Sequence, residues 1–149
     1  MVKYTWYNNP VPNDLKVRQV YGVAFNYDGR IILRIENNKY KLTGGKPEKN
    51  ESYEETLERE YIEELNVELE NCYYLGYLLV EDNNEKYAQV RMIAKIKSIN
   101  ENHIDPATGE MYGRELVNAD KVKELLGYQD EAGNLMIDEA IEKAKELYN

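Results

Sequence analysis

The stretch from Gly44 to Val67, GGKPEKNESYEETLEREYIEELNV, most constrains what this chain can fold into, because it crowds glutamates around one arginine, Arg59, directly after a glycine pair. In helical register Glu60 and Glu64 lie one turn apart, about 6 Å along the axis, with Glu63 beside them. Carboxylates that close repel one another, so something positive is expected among them. Ser52 with Glu55 three residues on predicts a capping box. Tyr53, Leu57, Tyr61 and Leu65 recur every fourth residue and give the helix an apolar stripe. Glu60 and Glu64 fall at its margin, where a buried face meets solvent, and Arg59 projects from another side. Asn66 should end the helix, since asparagine accepts the left-handed cap conformation.

The rest of the chain supplies strands before the helix and both strands and helices after it. Residues 1–16, with Tyr4, Trp6 and Tyr7 ahead of Pro10 and Pro12, read as an edge strand or arm running into an extended loop. Val17 to Phe25 and Ile31 to Glu36 are apolar, β-branched runs separated by a turn containing Asp28-Gly29, a hairpin signal. Asn37 and Asn38 make the next turn, and Lys39 to Thr43 delivers the chain to Gly44-Gly45, where the backbone can approach a neighbour closely. Tyr73 to Val80 is strand-like, Glu81 to Glu85 turns it back, and Ala88, Val90, Met92, Ala94 and Ile96 alternate with polar neighbours as a half-buried antiparallel strand. A polar loop is expected from Asn100 to Glu115. Asn118 is read as the cap of a short helix closed by Gly127, and Ile137, Ala140, Ile141, Ala144 and Tyr148 form the apolar face of a terminal helix. The expected architecture is one α/β or α+β domain over residues 1–149, a mixed sheet layered with helices.

Composition narrows the function classes. A net charge of −9 and a pI near 4.8 disfavour nucleic-acid binding through a broad basic face, which needs clustered Lys and Arg. No apolar run reaches the roughly 18 residues of a membrane span, and the amino terminus lacks a signal-peptide core. The single cysteine, Cys72, permits no internal disulfide and points to a reducing cytoplasm; it is read as a small buried hydrophobe. The single histidine, His103, sits in a polar loop and is read as a surface residue, which excludes most triads and zinc sites.

A glutamate-rich helix is ordinarily a solvated face. Here the carboxylates border an apolar stripe, an irregular loop with two glycines precedes them, and Glu51 is available to pair with Arg59. Hard carboxylate oxygens suit Mg²⁺ or Mn²⁺, and a bound cation would relieve the repulsion that raises carboxylate pKa values.

Gly45, Glu51 and then Arg59-Glu60-Tyr61-Ile62-Glu63-Glu64-Leu65-Asn66-Val67 resemble the Nudix box, the signature of the Nudix hydrolases. Two positions depart from it: Tyr61 stands where an aliphatic residue is usual, and Asn66 where glycine is. The resemblance implies a Nudix-like α/β/α sandwich with a mixed β-sheet. It also implies Mg²⁺-dependent, or Mn²⁺-dependent, hydrolysis of a diphosphate bridge in a nucleotide or nucleoside diphosphate derivative. Glu60, Glu63 and Glu64 would be the metal-binding and catalytic carboxylates, with a backbone carbonyl near Gly44 as a further ligand. Gly45, Glu51 and Arg59 would brace them. Arg91, expected on the outer face of its strand, and Tyr112, Arg114 and Glu115 in the late loop are candidate contacts to a small nucleotide substrate. A nucleotide-sensing module without turnover is the alternative, and a homodimer is one arrangement open to the chain.

Overall fold

The computed structural model describes residues 1–148. One mixed sheet carries eight strands: β1 (Val2–Tyr7), β2 (Val17–Phe25), β3 (Ile31–Glu36), β4 (Lys39–Lys41), β5 (Thr43–Gly45), β6 (Val67–Asp82), β7 (Glu85–Ile99) and β8 (Gly113–Val117). Its main path runs β1-β6-β7-β2-β3-β4, with β5 paired to β2 and β8 to β3. Only the β2–β7 pairing is parallel among those given a register. Three helices complete the fold: α1 (Tyr53–Leu65), α2 (Val122–Leu126) and α3 (Glu131–Leu147).

The sheet is covered on both faces. Leu57, Tyr61 and Leu65 of α1 pack with Val20, Tyr77, Val90 and Met92 on one side. Met136, Ile137 and Ala140 of α3 pack with Val23, Leu33 and Ile93 on the other. Because β2 and β7 are covered twice, their side chains are buried in runs, as in Val23-Ala24-Phe25 and Val90 to Ala94, rather than by strict alternation. The result is the expected α/β/α sandwich.

Several expectations are revised. The β2 and β3 runs have the predicted limits, and their turn is closed by Asn26 N–H to Arg30 O at 2.8 Å with Gly29 at φ 85°. Yet they share only the Phe25–Ile31 pair. Beyond it β2 turns to β7 and β5, and β3 to β8 and β4, so the hairpin opens into a cleft. The strand expected from Tyr73 begins at Val67, directly after α1, and its ladder with β7 shifts register three times; Asn71, with φ 50°, lies within one shift. Such irregularities bend a long ribbon without ending it. The polar loop ends early, because Gly113–Val117 pairs with β3. Asn118 precedes a single 3₁₀ turn and its side chain caps nothing, whereas Gly127 closes α2 in the left-handed conformation as predicted. The cap of α3 is Asp130, which accepts from Gly133 N–H at 3.0 Å.

Candidate active site

Helix α1 is held at both ends. Ser52 accepts from Glu55 N–H at 3.1 Å, and Glu55 accepts in return from Ser52 N–H at 2.9 Å, the predicted capping box. Asn66 ends the helix at φ 53°, ψ 47°, with its N–H on Ile62 O at 3.0 Å. Two side chains then reach carbonyls of the last turn. His103 places Nε2 2.7 Å from Ile62 O and 3.1 Å from Glu63 O, and Arg114 donates to Leu65 O at 2.5 Å. Orphan carbonyls at a helix end need such donors. His103, expected as a free surface residue, therefore docks on the helix that carries the acids.

Below the helix the departure at Tyr61 has a direct account. Its ring is fully buried and its hydroxyl donates to Gly22 O at 2.9 Å. A side chain at position 22 would crowd Leu57 and Tyr61 Cε1, at 2.8 and 3.2 Å from an added Cβ. The larger residue on the helix is thus matched by no side chain on β2.

Gly44 and Gly45 meet the helix from the other side. An added Cβ at Gly44 would collide with the backbone of Val20 and Tyr21, and one at Gly45 with the Glu60 carboxylate. Only glycine lets this strand pass so close to both. The Gly44 backbone is thereby held beside the carboxylates of α1.

Arg59 ties the loop to the helix. Its Nε and Nη2 donate to the two oxygens of Glu51 at 2.6 and 3.0 Å, a bidentate pair. Its Nη1 donates to Glu60 at 2.6 Å and lies 3.3 Å from Glu63, while Nη2 also reaches Lys46 O at 3.1 Å. Glu51 further accepts from Glu48 N–H and Thr56 Oγ1, both at 2.8 Å. These donors, Arg59 foremost, hold the Glu51 carboxyl down to about 2 and in turn raise the Arg59 pKa above its ordinary value.

Glu64 is different. It is 3% exposed, paired with Arg34 of β3 and close to the Glu60 carboxyl. Burial, followed by the Glu60 contact, pushes its carboxyl up to about 9 despite Arg34. A buried acid beside a second acid is a place where a cation lowers the energy. The donors are all oxygen, which fits a hard divalent ion. The three carboxylates do not converge on one point, since Glu60 and Glu63 turn to Arg59 and Glu64 to Arg34. The one acid cluster with ligand atoms within 4.8 Å of one another among the described residues is Glu54, Glu58 and Cys72, elsewhere on α1. Cys72 there is half-buried, and burial pushes its thiol up to about 12.

The expected substrate contacts divide. Arg91 is not on an outer face: it is 6% exposed, because β7 is covered on both sides, and it lies over the Tyr21 ring at 4.8 Å. It lines a cavity of about 310 Å³ with Tyr21, Arg34, Tyr40, Gln89 and Tyr128. Tyr112 is buried beneath Arg34, 5.1 Å from guanidinium to ring. Glu115 accepts from Tyr40 Oη at 2.8 Å. Tyr112, Arg114 and Glu115 thus support α1 and the cavity wall without lining the cavity. Arg34, Tyr21 and Tyr128 were missed by sequence reasoning; an arginine inside the apolar run Ile31 to Ile35 is the one signal that pointed there.

A model of the NUDIX domain matches residues 15–136. No curated protein matches the chain in sequence. Among solved structures, a mutant of the Bacillus subtilis pyrophosphohydrolase BsRppH is 20% identical, with a TM-score of 0.73, covering 94% of this chain and 90% of its own. A MutT described from Aliivibrio salmonicida and Vibrio cholerae is 18% identical, with a TM-score of 0.61 and coverage of 85% and 96%. A Bacillus halodurans MutT is 20% identical, with a TM-score of 0.58 and coverage of 83% and 81%.

Proposed function

The chain belongs to the NUDIX family, and from that premise we propose that it is a pyrophosphohydrolase that cuts a diphosphate bridge in a nucleotide derivative with the help of Mg²⁺ or Mn²⁺. The observation that carries this reading is the Glu60–Glu64 pair, one acid buried and set close beside the next on a helix pinned beside Gly44 and Gly45. Similar structures are named pyrophosphohydrolase and MutT, which agrees with the same chemistry.

In this reading Glu60, Glu63 and Glu64 would hold the divalent ion, with the Gly44 carbonyl as a further ligand. The ion would withdraw charge from the phosphoryl oxygens, lower the pKa of water and offset charge on the leaving group. The protein's own residues supply position. Glu51 and Arg59 fix the loop against the helix, which keeps the Gly44-Gly45 backbone beside the acids. Arg34 holds Glu64 on the cavity side. One of these carboxylates would also accept a proton from the attacking water, and Glu63, held only by contacts of 3.3 and 3.5 Å to Arg59, is the least committed of them. One P–O bond forms to that water and one bridging P–O bond breaks, giving two phosphate-ended products and a proton.

The reaction is tested by incubating nucleoside polyphosphates, dinucleoside polyphosphates and nucleotide sugars with the protein and Mg²⁺ or Mn²⁺, resolving the products by chromatography. Metal-dependent cleavage at a phosphoanhydride is expected. Tight nucleotide binding without any cleavage would instead assign the chain as a sensing module.

A further inference from the structure

We infer that the cavity bounded by Tyr21, Arg34, Tyr40, Gln89, Arg91 and Tyr128 seats a phosphate group of the substrate beyond the bridge that is cut, which makes the substrate a chain of three or more phosphates. This rests on the hydrolase reading and names the substrate class for it.

Arg91 carries the inference. It is buried, yet no carboxylate pairs with it among the described residues. Its protein contacts are long ones to Val90 O at 3.5 Å and Gln89 Oε1 at 3.3 Å, with the Tyr128 hydroxyl and the face of Tyr21. Its Nε has no partner. A buried guanidinium without an acid is costly, and burial already lowers its pKa. An oxyanion in the cavity would supply the missing charge and the missing acceptor together. The neutral edge of a base would supply only an acceptor, which favours phosphate over base recognition.

The other cations on the cavity are already committed. Arg34 is shared between Glu64 and Glu36, and Lys41 pairs with Glu36 at 3.5 Å. Arg34 nevertheless leaves its own buried Nε without a partner. It also joins the two places physically, since one end meets Glu64 and the side chain lines the cavity. Tyr21 is within electrostatic reach of both places: burial raises the pKa of its hydroxyl, Arg91 and Arg34 lower it, and Glu64 and Glu60 raise it. A phosphate on Arg91 therefore continues from the carboxylates by way of Arg34. The volume, about 310 Å³, is at the lower end of the roughly 300–1,000 Å³ typical of small-molecule pockets, and suits part of a phosphate chain better than a whole nucleotide.

The binding test uses inorganic tripolyphosphate and the metal-stripped protein, read by calorimetry and by melting temperature. Wild type should bind and be stabilised, Arg91→Gln should bind at least about tenfold more weakly, as loss of a charge-assisted bond implies, and Arg91→Lys should recover part of the loss. No binding to wild type, or equal binding by Arg91→Gln, would overturn the inference. Should Arg91→Gln fail to fold, Arg91→Lys and the wild-type substrate profile decide. The wild type should have at least about tenfold higher kcat/KM, the size of one such bond, for nucleoside triphosphates and dinucleoside tetraphosphates than for nucleotide sugars with two phosphates. Preference for the sugars would overturn the inference and leave the proposed hydrolase standing. Tripolyphosphate binding with no cleavage of any compound would support the cavity and sink the hydrolase.

Discussion

Replacing Glu64 by Gln should stabilise the folded protein at alkaline pH in the absence of divalent ions, while removing the ion's stabilising effect. The Glu64 carboxyl is raised from an ordinary 4.5 to about 9, so between those values the folded state holds a proton that the unfolded state has released. Stability from this group is greatest below about pH 4.5 and is lost as pH rises toward 9, with a slope of at most about 1.4 kcal/mol per pH unit. Between about pH 5.5 and 8.5 that slope amounts to at most about 4 kcal/mol. Urea unfolding of both proteins over this range, with chelator, separates the effect of the Glu60–Glu64 pair, because groups that do not touch Glu64 contribute alike to both curves. The wild-type curve should fall relative to the variant by on the order of 2 kcal/mol or more. Millimolar Mg²⁺ should flatten the wild-type curve and leave that of the variant unchanged. Parallel curves with chelator would refute the reading of Glu64 as a buried acid that a cation completes.

Three further outcomes follow from the same contacts. Arg59→Ala should cost about 2 kcal/mol in urea unfolding at neutral pH, since it leaves Glu51, Glu60 and Glu63 without their shared partner; the wild type should lose the same stabilisation below pH 4.5, as protonation approaches the Glu51 pKa of about 2. Gly45→Ala should depress metal-dependent turnover more than melting temperature, because the methyl group displaces the Glu60 carboxylate, the movable end of a side chain, and not packed backbone. Tyr61→Phe should cost about 1 kcal/mol, the net worth of the hydrogen bond it loses to Gly22 O, and a cost near zero in thermal unfolding would show that the hydroxyl is incidental.

Much of this was legible in the sequence where local chemistry decides. The capping box at Ser52 and the left-handed Asn66 depend on a few adjacent residues, and both appear as expected. Of the stripe Tyr53, Leu57, Tyr61 and Leu65, the last three are fully buried and Tyr53, at the start of the helix, is half-buried. The pairing of Arg59 with Glu51 followed from opposite charge within reach across one loop and two helical turns. What escaped depends on partners distant in sequence. The β2–β3 hairpin opens because each strand finds a better ladder elsewhere. His103 reaches α1 from across the chain, and the burial of Arg91 follows from having helices on both sides of β7. The cavity is assembled from β2, β3, β4, β7 and the segment around α2, a convergence that no spacing within one stretch records.

The most direct test of the central claim is product formation from a nucleoside triphosphate by wild type, Glu60→Gln and Glu64→Gln, each with Mg²⁺ and with chelator, after circular dichroism has shown all three to be folded. Wild type should cleave a phosphoanhydride only with the ion, and both variants should be reduced by about a hundredfold or more, since even the outer-shell partners of metal ligands are worth about 10- to 100-fold. Wild-type rates in either variant, or cleavage that persists with chelator, would contradict it.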